Sequence, residues 1–166
     1  MQPSERTPPG SPPPAEPGAV ASPVQAAGQV ASLGARRARG PRPLRVLLVE
    51  DSPLLVQRIS ELVGDLPDIR LVGTAGSEAE AMGRLEGGDV DVVILDLQLH
   101  AGSGFGVLRA LQGQARAAPT VIVFTNFAIG AYRDTALALG ARHFLDKSRD
   151  YARLPAVLRE LSDSVQ

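Results

Sequence analysis

From Leu44 onward the apolar positions follow two alternating rhythms. Short, nearly continuous apolar runs occupy residues 46–49, 69–72, 90–95, 120–124 and 143–145. Runs of that length, rich in Val and Ile, predict strands buried on both faces. Between them apolar residues recur at helical spacing, behind recognisable start signals. Ser52-Pro53 offers an N-cap and a first-turn proline ahead of Leu54, Leu55, Ile59, Leu62 and Val63. Ser77-x-x-Glu80 forms a capping box before Ala81, Met82 and Leu85, and Ser103 precedes Val107, Leu108 and Leu111. A fourth helix is predicted over about 130–139, ended by Gly140, and a fifth over about 153–162 on Leu154, Val157, Leu158 and Leu161.

Five strands alternating with five helices through short loops predict an α/β fold, a mostly parallel sheet covered on both faces. Residues 44–166 suffice for one such core. Gly87-Gly88-Asp89 reads as the turn before the third strand.

Composition changes the picture at the N-terminus. Residues 1–43 hold ten of the 14 prolines and five of the 17 glycines, with a net charge of +3, against −4 for the remainder. Such a segment lacks the large apolar side chains that offset ordering entropy, so it is expected to be a disordered tail. Arg36, Arg37 and Arg39 suit an anionic lipid, nucleic acid or an acidic partner; the plainer readings are a solubilising tail or a start codon placed too far upstream. Prolines stand where a secretory signal needs its apolar stretch. No segment is apolar enough to cross a bilayer. Cysteine is absent, which excludes disulfides, thiol catalysis and thiolate-bound zinc and fits a reducing cytoplasm. Two histidines, 4% aromatics and a net charge of −1 disfavour a histidine metal site and a nucleic-acid groove.

The chemistry lies where strands end. In an open parallel sheet, ligands bind beyond the carboxyl ends of the strands. The first predicted strand is followed by Glu50-Asp51, the third by Asp96, the fourth by Thr125 and the fifth by Asp146-Lys147. Carboxylates bunched on one rim repel one another unless a cation joins them, and hard oxygen donors select Mg²⁺. With that cation, one carboxylate can attack a phosphoryl group while a Lys and a Thr hold its oxygens. Taken singly, acidic residues at strand ends often only cap the next helix, and the conjunction carries the reading.

Val49-Glu50-Asp51-Ser52-Pro53, Ile94-Leu95-Asp96-Leu97 with Gly104 eight residues past the Asp, Phe124-Thr125 and Phe144-Leu145-Asp146-Lys147 together resemble the response-regulator receiver domain of two-component signalling. The resemblance covers about residues 44–164. It implies a flavodoxin-like, doubly wound five-stranded sheet of order 2-1-3-4-5. It also implies that Asp96 is the phosphoacceptor, fed by a sensor histidine kinase or a phosphotransfer protein. Asp51 and Asp96 would bind Mg²⁺ directly, Glu50 through water and Gln98 through its backbone carbonyl. Lys147 would pair with the phosphoryl oxygens, Thr125 would hydrogen-bond one of them, and Phe144 would be the aromatic switch; its plainer reading is a phenylalanine at the edge of the core.

Some positions depart from the family pattern. His100-Ala101 stands in place of a Pro-Gly pair, which is expected to loosen that loop; His100 itself reads as exposed and idle. Ser148 follows Lys147 where many receivers carry proline, and Asn126 follows Thr125 where a smaller residue is commoner.

The last predicted helix ends close to Gln166, with no DNA-binding helix pair, cyclase motif or hydrolase domain after it. The expectation is a stand-alone cytoplasmic receiver, not an enzyme beyond gaining and losing its own phosphoryl group. Its effector protein would bind the face made by helix four, strand five and helix five, including Tyr132, Phe144 and Tyr151. A phosphorylation-driven homodimer would use the same face. Two other classes are weighed. A Mg²⁺-dependent phosphatase of the haloacid dehalogenase type expects a second Asp two residues past the nucleophile, where Gln98 stands. A phosphate-independent binding module tends to lose the acidic pair, the acceptor or the Lys, all of which are retained here.

Overall fold

The computed structural model describes residues 42–114 and 118–165. The tail expected over residues 1–43 therefore lies outside the described residues, save Arg42 and Pro43. The elements run β1 (Leu44–Val49), α1 (Pro53–Gly64), β2 (Ile69–Ala75), α2 (Glu78–Glu86), β3 (Val92–Leu95), α3 (Gly104–Gln112), β4 (Thr120–Thr125), α4 (Gly130–Ala138), β5 (His143–Asp146) and α5 (Leu154–Val165), the last entered through a 3₁₀ turn at Tyr151–Arg153. All four strand pairings are parallel and the order is β2-β1-β3-β4-β5, the expected flavodoxin-like arrangement.

Alternation along each strand divides the core in two. Leu44, Val46 and Leu48 of β1, Ile94 of β3 and Phe124 of β4 pack under Ile59 and Val63 of α1 and Leu154 and Leu158 of α5. The intervening Leu47, Val49, Val93, Leu95 and Val123 pack under Ala81 and Leu85 of α2, Val107 and Leu108 of α3 and Ala136 of α4. Each fully buried aliphatic side chain contributes about 1.5–3 kcal/mol, so both faces are needed to hold the sheet against its ordering entropy. No helix among the described residues is long and apolar enough to cross a membrane.

The helix signals act mostly as read. Ser77 Oγ accepts from Glu80 N–H at 3.2 Å, although the Glu80 carboxylate reaches back to Gly76 N rather than to Ser77. Ser103 Oγ accepts from Phe105 N–H, and Gly140 ends α4 region with φ of +98°, a conformation costly for any residue with a Cβ. Ser52 occupies the N-cap of α1, but its side chain makes no capping hydrogen bond. Two strand limits differ from the hydrophobic runs. β2 continues past Val72 because Gly73, Thr74 and Ala75 pair in register with Leu47, Leu48 and Val49. β3 begins at Val92, since the preceding Asp91 serves a different purpose.

Asp91 ties the amino ends of three strands together. Its carboxylate accepts from Arg45 N–H at 2.9 Å, from the Arg45 guanidinium at 3.1 and 3.2 Å, and from both terminal nitrogens of Arg42 at 2.9 Å. Its carbonyl accepts from Thr120 N–H, and its N–H donates to Arg45 O. Burial pushes the Asp91 carboxyl up, but the hydrogen bonds from Arg45 and Arg42 outweigh it and hold the group well below the ordinary carboxylate range. A carboxyl depressed in the folded state lends stability above its unfolded value of about 3.9, and loses it as pH falls through the folded value. Asp91→Asn should therefore cost about 1–3 kcal/mol in urea unfolding at neutral pH. The gap to wild type should narrow as pH drops below about 4, and a gap independent of pH would contradict this role.

Candidate functional site

The chain leaves β1 for β2 on one side and returns across it to β3 on the other, which opens a crevice at the carboxyl ends of β1 and β3. The ladder carries the key residues to that rim. Glu50 N–H donates to Ala75 O at 2.8 Å, Asp96 N–H to Val49 O at 2.9 Å, and Lys147 N–H to Thr125 O at 3.0 Å. The backbone that follows each strand is thus still fixed by its neighbour, and the side chains emerge from a rigid platform. They line a cleft of about 640 Å³, flanked by Asn126, Phe127 and Tyr132.

One buried ammonium organises the floor of the cleft. Lys147 Nζ lies 2.5 Å from Glu50 Oε2 and 2.6 Å from Asp96 Oδ2, and all three residues are buried. Asp51, exposed, completes a trio with Glu50 and Asp96 whose ligand atoms lie within 4.8 Å of one another. Ser52 N–H donates to Glu50 Oε1 at 3.1 Å and Gln98 N–H to Asp96 Oδ1 at 3.2 Å. Burial pushes the Glu50 carboxyl above its usual value; Lys147 and the Ser52 N–H pull it part of the way back, and the negative Asp96 adds to the rise. Two buried carboxylates against one ammonium leave a net negative pocket of oxygen donors, a donor set that fits a hard divalent cation.

The remaining predicted positions divide. Thr125 is fully buried, and its Oγ1 accepts from Phe127 N–H at 3.2 Å. Gln98 keeps its side chain exposed, so only its backbone belongs to the floor. Phe144 is buried in the α2–α4 side of the core, with the Arg133 guanidinium 5.9 Å from its ring centroid. The face expected to include Tyr132, Phe144 and Tyr151 draws on both layers of the fold. Tyr132 is exposed on α4, and Tyr151 is half-buried against Phe124 in the α1–α5 layer, since the turn after β5 carries the chain over the sheet edge.

The sequence pattern of the response regulator receiver domain matches residues 46–159. The chain belongs to the response-regulator receiver family. This receiver domain is 36% identical over 107 residues to a protein-glutamate methylesterase/protein-glutamine glutaminase of Symbiobacterium thermophilum, covering 64% of this chain and 29% of that one. A second such protein, from Koribacter versatilis, is 33% identical over 125 residues, covering 74% and 33%. The chain spans about a third of the length of the curated relatives it matches. Among solved structures it resembles the response regulator domain of Thermotoga maritima CheB, with a TM-score of 0.65 at 24% identity over 75% of this chain and 96% of that one. It also resembles a LuxR-family two-component response regulator from Aurantimonas sp., with a TM-score of 0.67 at 25% identity over 75% and 88%.

The departures from the family pattern have local compensation. After Lys147, Asp146 Oδ1 accepts from both Ser148 N–H and Ser148 Oγ–H, while Asp150 Oδ2 accepts from Asp146 N–H. These bonds close the turn without a proline. The loop after Asp96, expected to be loose, is instead held from α2: Glu78 N–H donates to Ala101 O at 3.0 Å, and Ser103 N–H donates to Glu78 Oε2 at 2.9 Å. Nothing in the local sequence marked Glu78 beyond its place in the first turn of a helix.

Gly104 is needed for contact. A Cβ there would stand 2.2 Å from Asp96 O and 2.8 Å from Leu97 Cα, both backbone atoms that cannot swing away. Gly104→Ala should destabilise the fold by about 1–3 kcal/mol through overpacking under Asp96. Gly83→Ala, on an open face of α2 with nothing within 4 Å, should be neutral or stabilising by up to about 1 kcal/mol. Thermal melts of the two variants check the contrast, and equal melting temperatures would refute it.

Proposed function

We propose that this receiver domain accepts a phosphoryl group on Asp96 from the phosphohistidine of a sensor histidine kinase or phosphotransfer protein, with Mg²⁺ as cofactor, in the cytoplasm. The observation that carries the reading is the Lys147 ammonium bonded to both Asp96 and Glu50 beside the open Asp51. A carboxylate oxygen of Asp96 attacks the phosphorus, the P–N bond breaks, and the imidazole nitrogen keeps the electron pair. Asp51 and Asp96 would hold the cation directly, Gln98 through its backbone carbonyl and Glu50 through water; bound there, it neutralises charge on the phosphoryl oxygens.

The chain's own residues do the rest. Lys147 exchanges a carboxylate partner for a phosphoryl oxygen, a charge-assisted bond of the same kind. The Thr125 hydroxyl, which already accepts from Phe127 N–H, offers its proton to another phosphoryl oxygen. Movement of Thr125 toward the phosphate frees space that Phe144 takes up as the aromatic switch. The output is a protein contact through α4, β5 and α5, where Ile129, Tyr132 and Leu137 are exposed apolar side chains. The same face serves an effector protein or a phosphorylation-dependent homodimer. Beyond gain and loss of this phosphoryl group we assign the domain no enzymatic activity.

Incubation with Mg²⁺ and acetyl phosphate should add one hydroxylamine-labile phosphoryl group by intact mass, and Asp96→Asn should abolish it. A group that persists in Asp96→Asn would place the acceptor elsewhere. Lys147→Ala strips the compensating charge from two buried carboxylates, and should cost about 3–5 kcal/mol in cation-free unfolding. Mg²⁺ should then raise the melting temperature of the variant more than that of wild type, because binding to the folded state alone stabilises it. Equal shifts would show that the ammonium and the cation do not share these carboxylates.

A further inference from the structure

We propose that Glu78, on α2, is a positioning residue for the floor of the cleft, acting through the loop that carries Gln98. This role rests on the proposed function, since it concerns the affinity of that same site for a divalent cation. The contacts form an unbroken path. Glu78 Oε2 accepts from Ser103 N–H at 2.9 Å. Ser103 forms an isolated antiparallel bridge with Gln98, and Gln98 N–H in turn donates to Asp96 Oδ1 at 3.2 Å. A parallel bridge between Ser77 and Ala101 and the Glu78 N–H···O=C bond to Ala101 fix the same loop from its other side.

Two glycines leave the space in which the Glu78 side chain sits. A Cβ on Gly102 would stand 2.4 Å from Glu78 Cβ, and Gly102 also has a φ of +80°, which penalises any other residue. A Cβ on Gly106 would stand 2.1 Å from Glu78 Oε1. The carboxylate is thus seated in a notch at the amino end of α3, beside its N-cap Ser103, where the helix dipole favours a negative charge. The family's usual Pro-Gly stiffening is replaced here by His100-Ala101, and an acid reaching across from a neighbouring helix takes over the work of holding the loop.

The placement makes Glu78 a support behind backbone ligands rather than a ligand. Removing such supports typically weakens metal binding by about 10–100-fold. The path here reaches a single backbone position, Gln98, while the carboxylates stay in place, so Glu78→Ala should fall near the lower end, about tenfold. Glu78→Gln keeps an oxygen for Ser103 N–H and should lose only about two- to threefold, since the hydrogen bond survives and only its charge assistance goes. Gly106→Ala should mimic Glu78→Ala by evicting the carboxylate. The double variant Glu78→Ala/Gly106→Ala should be no weaker than either single one, because each removes the same contact.

Isothermal titration of the full chain with Mg²⁺, in the absence of any phosphoryl donor, reads these affinities, with thermal melts run alongside. The ordering wild type, Glu78→Gln, Glu78→Ala, with a non-additive double variant, supports the role. Melting temperatures that fall while every Mg²⁺ isotherm matches wild type would overturn it and leave Glu78 as a brace of the fold alone. If Glu78→Ala does not fold, the Glu78→Gln isotherm still decides, because wild-type affinity there overturns the role. A wild-type chain that binds no Mg²⁺ contradicts the proposed function itself, and this role with it.

Discussion

A single ammonium held between two buried carboxylates is the constraint around which the carboxyl edge of the sheet is arranged. Lys147 reaches Glu50 and Asp96 at hydrogen-bonding distance from the end of β5, three places removed from β1. Removing three charged groups from water costs several kcal/mol each, and their mutual attraction repays this only if the geometry is held closely. The parallel ladder supplies that geometry by extending one residue beyond the strands, through the N–H groups of Glu50, Asp96 and Lys147. The site is therefore a property of sheet register: a slip of one residue on β3 or β5 would turn Asp96 or Lys147 to the other face.

Both ends of the sheet use the same device with opposite consequences. At the amino edge, Asp91 is surrounded by two guanidinium groups and two backbone partners, an arrangement saturated with donors. At the carboxyl edge the acids outnumber the cation, and Asp51 remains exposed. The first arrangement stabilises the fold and is closed to further ligands. The second leaves carboxylate oxygens without a cationic partner, which is what the proposed cation and phosphoryl sites rest on. Packing separates the two ends: apolar side chains fill both faces of every central strand, so neither cluster can relax toward the other.

Much of this was legible in the sequence because the physics is local there. Continuous Val and Ile runs must be strands buried twice over, and the polar residues that end them must share a rim. What escaped reading depended on partners far along the chain. Gly73 and Thr74 fall outside the apolar run, and only their pairing with β1 makes them strand. Asp91 looked like part of an apolar run, and only the approach of Arg42 and Arg45 gives its carboxylate a purpose. Glu78 resembled any acid in a first helical turn, and its seat is made by glycines 24 and 28 residues away.

In the proposed function charges are exchanged at one place: the carboxylates that Lys147 now satisfies would become the seat of a cation and a phosphoryl group, and Lys147 would turn to the latter. A crystal structure of the chain grown with Mg²⁺ and beryllofluoride tests this most directly. The account predicts a tetrahedral beryllofluoride on the Asp96 carboxylate, the cation held between it and Asp51, and Lys147 Nζ and Thr125 Oγ1 bonded to fluorine. Beryllofluoride on another carboxylate, or an Asp96 left free with Lys147 still bridging to Glu50, would contradict it.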